Sequence, residues 1–253
     1  MIKAKDWINN SDKKAKLLQY LARKKLSEIW DLDFDQEIIE AAYFRMELGE
    51  PLTKISGFTK FYDRFFLTSP DVLDPRPETE LLISLASKYI QPNYKVLDLA
   101  CGSGCIGITL ALEHKIQSDL SDISANALRI AQANINRFSA NCRIFQSNWC
   151  NSLTDMYDVI VCNPPYIPLD YEAPIELAYD PYLSLFSSLN GFAAHYQAFV
   201  SASSKIKQNG IIIWEIGFQQ EYQFREFISK LGYYAIFYPD FNNILRAAVI
   251  FAK

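Results

Sequence analysis

The sequence has few of the residues that bind metals or form disulfides. Its 253 residues include two histidines, His114 and His195, which lie far apart in the chain, so we expect no metal site. Its five cysteines are an odd number, and their spacing fits neither a disulfide framework nor a zinc site. Unpaired cysteines are typical of a reducing compartment. The cysteine and histidine content therefore favours a cytosolic protein that works without a metal ion.

The sequence also lacks long apolar runs and an excess of positive charge. Residues 1–6 have no apolar core of the kind that a signal peptide needs, and no apolar stretch is long enough to span a membrane. We therefore expect a cytosolic protein without membrane contact. The formal net charge of −4 argues against a broad electrostatic grip on nucleic acid. Half of the residues are hydrophobic and 21% are charged, which is an ordinary globular composition.

Residues 1–56 are predicted to form a small helical domain. Apolar residues recur near helical spacing over 13–26 and again over 35–49. Asp35 is suited to cap the second of these helices, because its side chain can accept hydrogen bonds from the first free N–H groups. The helical pattern fits a substrate-binding domain and equally a lid or packing appendage.

The rest of the chain, 76–253, is predicted to be an α/β domain with a Rossmann-like, seven-stranded, mostly parallel sheet, joined to the helical domain by a hairpin or linker over 57–75. Alternation of apolar strands with helices is typical of such a doubly wound sheet. No helix is predicted between the last two strands, so they are expected to pair as a hairpin with one strand antiparallel. The predicted strands are 95–99, 115–119, 143–147, 157–162, 210–215, 233–238 and 246–252. The predicted helices are 78–89, 104–113, 124–137, 191–206 and 219–231.

The loop Asn163-Pro164-Pro165-Tyr166 directly follows the apolar strand 157–162. Its prolines end the strand because proline has no N–H for the sheet, and ligands of such sheets bind at the carboxyl ends of the strands. The Asn163 side-chain oxygen and the Asn163 and Pro164 carbonyls are acceptors with few competing donors, which suits a ligand NH2 group. Tyr166 adds a flat ring for a planar amide or base. The alternative is a plain strand-ending turn.

The turn after strand 95–99 is a candidate cofactor site. Gly102 and Gly104 let a ligand approach the backbone, and the turn leads into a helix N-terminus. Asp98 sets a carboxylate beside the turn, which would repel a pyrophosphate and suits a cofactor with a positive or neutral centre. A tight strand-to-helix turn without a ligand is the alternative. The candidate residues are Asp98, Ala100, Cys101, Gly102, Ser103 and Gly104.

Polar residues also follow the second and third strands of the predicted sheet. An acid about twenty residues after the glycine turn is placed to hold ribose hydroxyls. Asp119 and Asp122 both qualify, and Asp122 is favoured because it lies nearer the start of the next helix. Asn148 is suited to bond an adenine edge, and Trp149 either packs on a ring or belongs to the core.

Taken together, these motifs resemble those of class I S-adenosylmethionine-dependent methyltransferases that methylate amino groups. Motifs elsewhere in the chain are similar to those of the peptide chain release factor N5-glutamine methyltransferases, so that the resemblance covers the whole chain. The shared motifs are Asp98-x-x-x-Gly102-x-Gly104, Asp122-Ile-Ser, Gln146-Ser-Asn148-Trp149 and Asn163-Pro-Pro-Tyr166. The narrower motifs are Glu50-Pro-Leu52, Pro75-Arg-Pro-Glu-Thr-Glu80, Tyr179-Asp-Pro181, Glu215-Ile-Gly217 and Asp240 with Arg246.

The resemblance implies a substrate, a cofactor and residue roles. The implied reaction transfers a methyl group from S-adenosylmethionine, which leaves S-adenosylhomocysteine, to the glutamine of the Gly-Gly-Gln loop of a peptide chain release factor. The loop Asn163–Tyr166 is assigned to catalysis, and the turn residues with Asp122, Asn148, Trp149 and Asn163 to the cofactor. Neither direct nucleic-acid contact nor membrane contact is expected.

An amide nitrogen needs help to act as a nucleophile, because its lone pair is delocalised into the carbonyl. The hypothesis is that Asn163 and the Pro164 carbonyl accept both amide hydrogens and align the nitrogen with the methyl group. Ala100 stands where the family usually has glycine, and Asn148 where it often has Asp. Ala100 permits the turn if its backbone angles are ordinary, and Asn148 keeps an acceptor oxygen, so cofactor binding is expected to survive.

Three alternatives stay open at this point. A glutamine methyltransferase for a ribosomal protein would share all the site residues. An exocyclic-amine methyltransferase for DNA or RNA is disfavoured by the acidic net charge of −4. A non-enzymatic binding protein on the same scaffold is disfavoured by the intact loop from Asn163 to Tyr166.

Overall fold

Residues 1–251 are described by the computed structural model, in which a seven-stranded sheet follows a group of short helices. The strands are β1 (Ile2–Lys3), β2 (Asp33–Phe34), β3 (Phe58–Phe61), β4 (Arg64–Leu67), β5 (Val96–Leu99), β6 (Ser118–Asp122), β7 (Cys142–Gln146), β8 (Tyr157–Cys162), β9 (Ile167–Pro168), β10 (Phe186–Ser187), β11 (Ile206–Glu215), β12 (Tyr234–Pro239) and β13 (Leu245–Phe251). The α-helices are α1 (Ala4–Ile8), α2 (Asp12–Ala22), α3 (Leu26–Ile29), α4 (Gln36–Glu47), α5 (Leu52–Ser56), α6 (Glu80–Ala86), α7 (Cys105–His114), α8 (Ala125–Phe138), α9 (Tyr182–Leu185), α10 (Ser188–Gly191), α11 (Ala193–Ser203) and α12 (Glu221–Lys230). Two 3-10 helices span Pro77–Thr79 and Ile175–Tyr179.

The large sheet has the strand order β12-β13-β11-β8-β5-β6-β7. β13 runs antiparallel to both of its neighbours, and the other neighbouring pairs are parallel. The chain builds outward from β5 in one direction through β6 and β7, and in the other through β8 and β11. The point where the order reverses lies between β5 and β8, and ligands bind at such a point. The predicted sheet and its C-terminal hairpin are therefore confirmed.

Strand β8 is apolar from Val159 to Cys162 because both faces of the sheet are covered there; its one charged residue, Asp158, lies near the start of the strand. Val159 and Val161 pack into the apolar cluster on one face. Ile160 and Cys162 pack into the cluster on the other face. Alternate residues of a strand point to opposite faces, so the buried part of a centrally placed parallel strand needs apolar side chains at consecutive positions. This burial fixes where β8 ends and the polar loop begins.

Two strand boundaries differ from the predicted ones. β6 covers Ser118–Asp122 and not 115–119, because α7 runs to His114 and Lys115 closes that helix in the left-handed region, with φ 53°. β11 begins at Ile206 and not at residue 210. Its pairing with β8 shifts register between Ile206 and Ile211, and the bulge takes up polar residues that resemble a loop in sequence.

The other predicted boundaries are close to the observed ones, with two exceptions among the helices. The helix predicted at 191–206 is shorter, Ala193–Ser203, and the helix predicted at 78–89 consists of a 3-10 turn and then Glu80–Ala86. The remaining five strands agree to within one residue at each end that the structure describes. Residue 252, the predicted end of the last strand, lies outside the described residues.

The N-terminal helices pack around an apolar cluster of their own. Trp7, Leu17, Leu18 and Ile39 are at its centre, and each is at most 3% exposed. Asp35 caps α4 as predicted, because its Oδ1 accepts hydrogen bonds from the next backbone amides at 3.0 and 3.3 Å. The helix predicted to continue to residue 26 ends earlier, at Ala22, where Arg23 takes a φ of 55°.

The aromatic segment after α5, for which a hairpin or a linker was predicted, forms a hairpin, β3 with β4. Its two-residue turn, Tyr62-Asp63, has positive φ at both positions, 47° and 59°, which matches the twist of paired strands. The Tyr62 amide donates to Glu80 Oε1 at 2.9 Å. Asn134 of α8 bonds both backbone groups of Leu67, at 2.8 and 3.1 Å. The hairpin is therefore fixed against the helices of the α/β part.

Candidate active site

The loop Asn163–Tyr166 begins where β8 ends, at the carboxyl edge of the sheet. Cys162, the last residue of β8, pairs with Leu99 of β5 on one side and with Trp214 of β11 on the other. The glycine turn after β5 and Glu215 at the end of β11 therefore lie on the two sides of Asn163. Three candidate segments that are distant in sequence meet at one place.

A cavity of about 220 Å³ opens beside this loop. Its wall combines loop residues with Arg76, which precedes α6, and with the segment that follows the loop. The lining residues are Leu73, Arg76, Asn163, Pro164, Tyr166, Ile167, Leu177, Ser184 and Leu185. Most of the lining residues are apolar, and the polar side chains among them belong to Arg76, Asn163, Tyr166 and Ser184.

The Asn163 side chain is held through its nitrogen. Nδ2 donates to Thr79 Oγ1 at 3.2 Å, and the Thr79 hydroxyl donates to Glu215 Oε2 at 2.8 Å. The Tyr166 hydroxyl donates to the other oxygen, Glu215 Oε1, at 3.1 Å. Within residues 1–251, Asn163 Oδ1 accepts no hydrogen bond. The loop therefore offers a free acceptor on a fixed side chain at the cavity wall.

Glu215 is 1% exposed, and its burial raises the pKa of the carboxyl to about 7. Burial raises this pKa because a charged carboxylate loses its hydration. The hydrogen bonds from Thr79 and Tyr166 and the charge of Arg246 act in the opposite direction, and Glu78 adds to the rise. Near neutral pH the carboxyl group therefore lies close to its titration midpoint.

A second buried chain of hydrogen bonds holds the Tyr166 carbonyl. Trp214 Nε1 has only a hydrogen to offer, so His195 Nδ1 must accept it, at 2.9 Å. His195 Nε2 then carries the ring hydrogen and donates to Gln220 Oε1 at 2.9 Å. Gln220 Nε2 donates to the Tyr166 carbonyl at 3.1 Å. Burial lowers the pKa of His195 to about 4, which keeps the ring neutral and this arrangement intact.

The chain passes close to the Tyr166 carbonyl at Gly191, where φ is 82°. A Cβ at Gly191 would lie 2.1 Å from that carbonyl oxygen, so no larger residue fits. The loop backbone is thus enclosed on this side and held by Gln220.

The glycine turn after β5 has three residues in the left-handed region. Ala100, Gly102 and Gly104 have φ of 60°, 52° and 78°. Ordinary backbone angles were the condition on which Ala100 was expected to permit the turn, and this condition is not met. An alanine in this conformation is strained because its Cβ approaches the following carbonyl, which explains why glycine is usual there. A Cβ at Gly102 would meet no atom within 4 Å, so open space lies above the turn.

Asp98 lies beneath this turn and is completely buried. Its Oδ2 accepts a hydrogen bond from the Gly107 amide in the first turn of α7 at 2.8 Å. Its Oδ1 is buried and has no partner within residues 1–251. Burial raises the pKa of this carboxyl to about 7. A buried acceptor without a partner is costly, and it indicates a place for a hydrogen-bond donor or a positive charge.

The structure distinguishes the two candidate acids of the second strand. Asp122 ends β6, and its two oxygens accept hydrogen bonds from the Gly102 and Ser124 amides, each at 2.9 Å. Asp119 lies inside the strand, where Arg143 binds both of its oxygens at 2.6 and 2.8 Å. Only Asp122 of these two therefore adjoins the glycine turn, as its position near the helix start led us to expect.

Asn148 and Trp149 follow β7 at the same edge. Asn148 is exposed, and Trp149 is half-buried and packs against the core cluster that includes Trp214. The Trp149 carbonyl accepts a hydrogen bond from Ser121 of β6 at 3.2 Å, which ties this turn to the end of the second strand. The ring of Trp149 thus has contacts within the protein, which was one of the two roles expected for this residue.

Several residues of this site were not singled out from the sequence. Thr79 and Glu215 appeared only as parts of family motifs, and His195 and Gln220 had no assigned role. Asn134 is also new: it is buried in α8 and its Nδ2 donates to the Ser103 carbonyl of the glycine turn at 2.9 Å. A polar residue on the buried face of an amphipathic helix was the one available signal for Asn134.

Within residues 1–251, no group of three or more His, Cys, Asp or Glu side chains is arranged to hold a metal ion. The helices of this described part include none that combines the length and the apolar character needed to cross a membrane.

Comparisons with known proteins match this architecture. Residues 68–170 match the family model of the methyltransferase small domain. Among solved structures, a methyltransferase from Pyrococcus furiosus has a TM-score of 0.59 at 15% identity, covering 84% of this chain and 98% of that one. A ribosomal protein L11 methylase from Lactobacillus delbrueckii subsp. bulgaricus has a TM-score of 0.54 at 14% identity, covering 77% and 88%. These structures show the fold. The sheet, its switch point and the matched domain define a class I methyltransferase.

Sequence relatives narrow this class. A release factor glutamine methyltransferase from Bordetella pertussis is 33% identical over 221 residues, covering 81% of this chain and 82% of the relative. One from Lactococcus lactis is 34% identical over 205 residues, covering 79% and 74%. The chain belongs to the release factor glutamine methyltransferase family, as its motifs predicted. A bifunctional methyltransferase from Rickettsia typhi is 31% identical, and the chain spans about half of it, 48%.

Proposed function

We propose that this methyltransferase transfers a methyl group from S-adenosylmethionine to the side-chain amide nitrogen of the glutamine in the Gly-Gly-Gln loop of a peptide chain release factor. The observation that carries the proposal is the Asn163 side chain, whose nitrogen is bonded to Thr79 and whose oxygen has no partner within residues 1–251. It lies at the wall of the 220 Å³ cavity, beside the glycine turn. The names of the relatives support the choice of substrate.

The residues around the glycine turn fit S-adenosylmethionine. Within residues 1–251 the buried Asp98 Oδ1 has no partner, and this carboxylate beneath the turn favours a positively charged donor group through its charge; the open space above Gly102 admits a ligand close to the backbone. Asp122 at the end of β6 suits ribose hydroxyls, because each of its oxygens keeps a free lone pair beside its one backbone hydrogen bond. Asn148 and Trp149 lie next to Asp122, where they can contact the adenine end of S-adenosylmethionine. When bound, the cofactor supplies a methyl group activated by a sulfonium charge.

Asn163 and the loop prolines orient the substrate nitrogen. Asn163 Oδ1 and the Pro164 carbonyl accept the two amide hydrogens, so the nitrogen is fixed with its lone pair toward the methyl group. Positive charge develops on the nitrogen during transfer, and acceptors that face it lower the barrier. One of the two amide protons then leaves to water, so that the product is a neutral N-methyl amide and S-adenosylhomocysteine is released. The two prolines limit backbone motion, so the acceptors hold the bound amide in one alignment. The entropy cost of orienting a free amide is therefore met on binding and does not add to the barrier of the methyl transfer.

The helical part, residues 1–56, is proposed to bind the release factor. Ile38 and Phe44 of its helix α4 and Leu48, directly after that helix, are exposed apolar side chains, at 64%, 65% and 59%. Exposed apolar side chains mark an interaction surface when they are contiguous with further ones. Such side chains lie on residues 169–185, which follow the loop Asn163–Tyr166 and form the segment that passes the cavity. They are Leu169, Tyr171, Ile175, Tyr182 and Leu183.

The two exposed surfaces adjoin each other. Ile175 Cγ2 lies 3.4 Å from the position that a Cβ on Gly49 would take, just beyond the end of α4. Leu177 and Leu185, from the same segment as Ile175, line the cavity. A protein that lies across α4 and this segment would therefore bring a protruding loop to Asn163.

The direct test is methylation of a purified full-length release factor with labelled S-adenosylmethionine, followed by mass spectrometry of the modified peptide. We expect one methyl group on the glutamine of the Gly-Gly-Gln loop. A release factor in which this glutamine is replaced by alanine is the matched control and should take up no label. Label on a ribosomal protein, on DNA or RNA, or on another residue of the release factor would contradict the proposal.

A further inference from the structure

We propose that Thr79 and Glu215 are positioning residues that set the orientation of the Asn163 side-chain amide, so that its oxygen and not its nitrogen faces the substrate. The inference deepens the function proposed above and rests on it. Neither residue is placed to touch the substrate, because Thr79 is 3% exposed and Glu215 is 1% exposed.

The orientation matters because the two ends of an asparagine amide are nearly identical in shape and opposite in function. The oxygen accepts hydrogen bonds and the nitrogen donates them, and a rotation of 180° exchanges the two. A substrate NH2 group needs an acceptor. With its amide rotated by 180°, Asn163 would direct its own two N–H donors toward the two N–H donors of the substrate amide. A specific hydrogen-bond partner must therefore exclude this orientation of Asn163.

The hydrogen bonds around Thr79 supply such a partner. An ionised Glu215 can only accept, and a threonine hydroxyl has a single hydrogen to give. The 2.8 Å bond to Glu215 Oε2 uses that hydrogen, so Thr79 Oγ1 presents only lone pairs to Asn163. Asn163 must then offer its Nδ2, which lies at 3.2 Å. The carboxylate thus determines the amide orientation across one intervening hydroxyl.

Tyr166 completes the arrangement from the loop itself. Its hydroxyl donates to Glu215 Oε1 at 3.1 Å, so both carboxylate oxygens are engaged as acceptors. The same carboxylate therefore holds the first and the last residue of the loop Asn163–Tyr166. A protonated Glu215 would be able to donate to Thr79, which would remove the constraint on Asn163.

Glu215 faces titratable and charged groups on several elements. They are Tyr166 of the loop, Arg246 of β13, Glu78 before α6, Cys105 of α7 and Cys162 of β8. Because burial raises the pKa of Glu215 to about 7, we expect the turnover number to fall as the pH decreases through this value.

The test compares Thr79→Val, which keeps the side-chain shape without the hydroxyl, with Thr79→Ser, which keeps the hydroxyl. With full-length release factor and S-adenosylmethionine, Thr79→Val should lower kcat by about 10- to 100-fold, the effect of losing one orienting hydrogen bond. KM for the release factor and cofactor affinity by calorimetry should stay within about twofold, and Thr79→Ser should restore kcat to within about threefold. Glu215→Gln should remove the fall in kcat below pH 7.

A second readout does not depend on activity. In protein labelled with nitrogen-15, the Asn163 Nδ2 resonance is assigned by its loss in Asn163→Ala. Its hydrogens should exchange slowly in the original protein and in Thr79→Ser, and quickly in Thr79→Val. Equal exchange in Thr79→Val, equal loss of kcat in Thr79→Ser, or a parallel loss of cofactor affinity would overturn the inference. Slow exchange without methylation of the release factor would instead reject the proposed function and leave the inference standing.

Discussion

Asp122 accepts a hydrogen bond from the backbone amide of Gly102 at 2.9 Å. This contact joins the end of β6 to the glycine turn after β5, so the carboxylate shapes the turn as well as facing the place proposed for the cofactor. The amide of Ser124 uses the other oxygen, at 2.9 Å.

Replacing Asp122 should therefore weaken cofactor binding. We expect Asp122→Ala to lower the affinity for S-adenosylmethionine by at least about tenfold, because two backbone donors lose their acceptor and the ribose loses its partner. Calorimetric titration measures this change. Asp119→Asn is the matched control, since Asp119 is engaged by Arg143 inside the sheet and should leave this affinity unchanged. Unchanged affinity in Asp122→Ala would contradict the assignment.

Ala100 has a φ of 60°, a conformation that costs a non-glycine residue about 1–2 kcal/mol. Ala100→Gly should therefore raise the free energy of unfolding by about 1 kcal/mol, after the greater freedom of glycine in the unfolded chain is included. Urea denaturation measures this. Ala125→Gly, at an exposed position in the first turn of α8, should be neutral or destabilising. A loss of stability in Ala100→Gly would show that the turn is not strained.

His195 should make the protein less stable in acid. Its folded-state pKa of about 4 lies below the ordinary value of 6.5, so the unfolded chain binds a proton at higher pH than the folded protein does. The stabilisation is complete above pH 6.5 and is lost as the pH falls toward 4, by on the order of 3 kcal/mol. NMR titration of the ring and urea denaturation at several pH values test this. A ring that titrates near pH 6.5 would contradict the buried hydrogen-bond chain to Tyr166.

Lys54 is buried between two carboxylates, Asp74 and Asp180, with its ammonium 2.8 Å from each. It joins α5 to the segment before α6 and to the segment that passes the cavity. Lys54→Met should lower the free energy of unfolding by about 3–5 kcal/mol, because the buried carboxylate of Asp74 loses its counter-charge and that of Asp180 keeps only Arg76. Lys60→Met is the control: its pair with Asp63 is exposed, so this variant should leave the free energy of unfolding nearly unchanged. Similar losses in the two variants would contradict the stabilising role of Lys54.

The sheet was predictable from the sequence because its strands are buried on both faces. In an alternating α/β pattern, a largely apolar run such as Tyr157–Cys162, whose one charged residue is Asp158, indicates a central parallel strand, and the prolines after it mark its end. The start of β11 was missed for a physical reason. Its bulge carries polar residues after Ile206, and the local sequence of a bulge is hard to distinguish from that of a loop.

The site was predictable where its chemistry follows a strand and unpredictable where it depends on distant partners. Asn163 and Asp122 stand directly at strand ends, where side chains meet a ligand. Thr79 and Glu215 are 136 residues apart, and their hydrogen bond exists only because α6 packs beside β11. The left-handed conformation of Ala100 was also hidden, because alanine itself gives no signal of positive φ.

The role of Asn163 in catalysis is best measured by the turnover number of Asn163→Ala with full-length release factor at saturating S-adenosylmethionine, together with the cofactor affinity of this variant. Asn163 supplies the free acceptor oxygen at the cavity, while its removal leaves Asp98, the glycine turn and Asp122 in place. We expect methylation to be abolished and cofactor affinity to be nearly unchanged. Turnover comparable to that of the unaltered protein would show that Asn163 does not hold the substrate nitrogen.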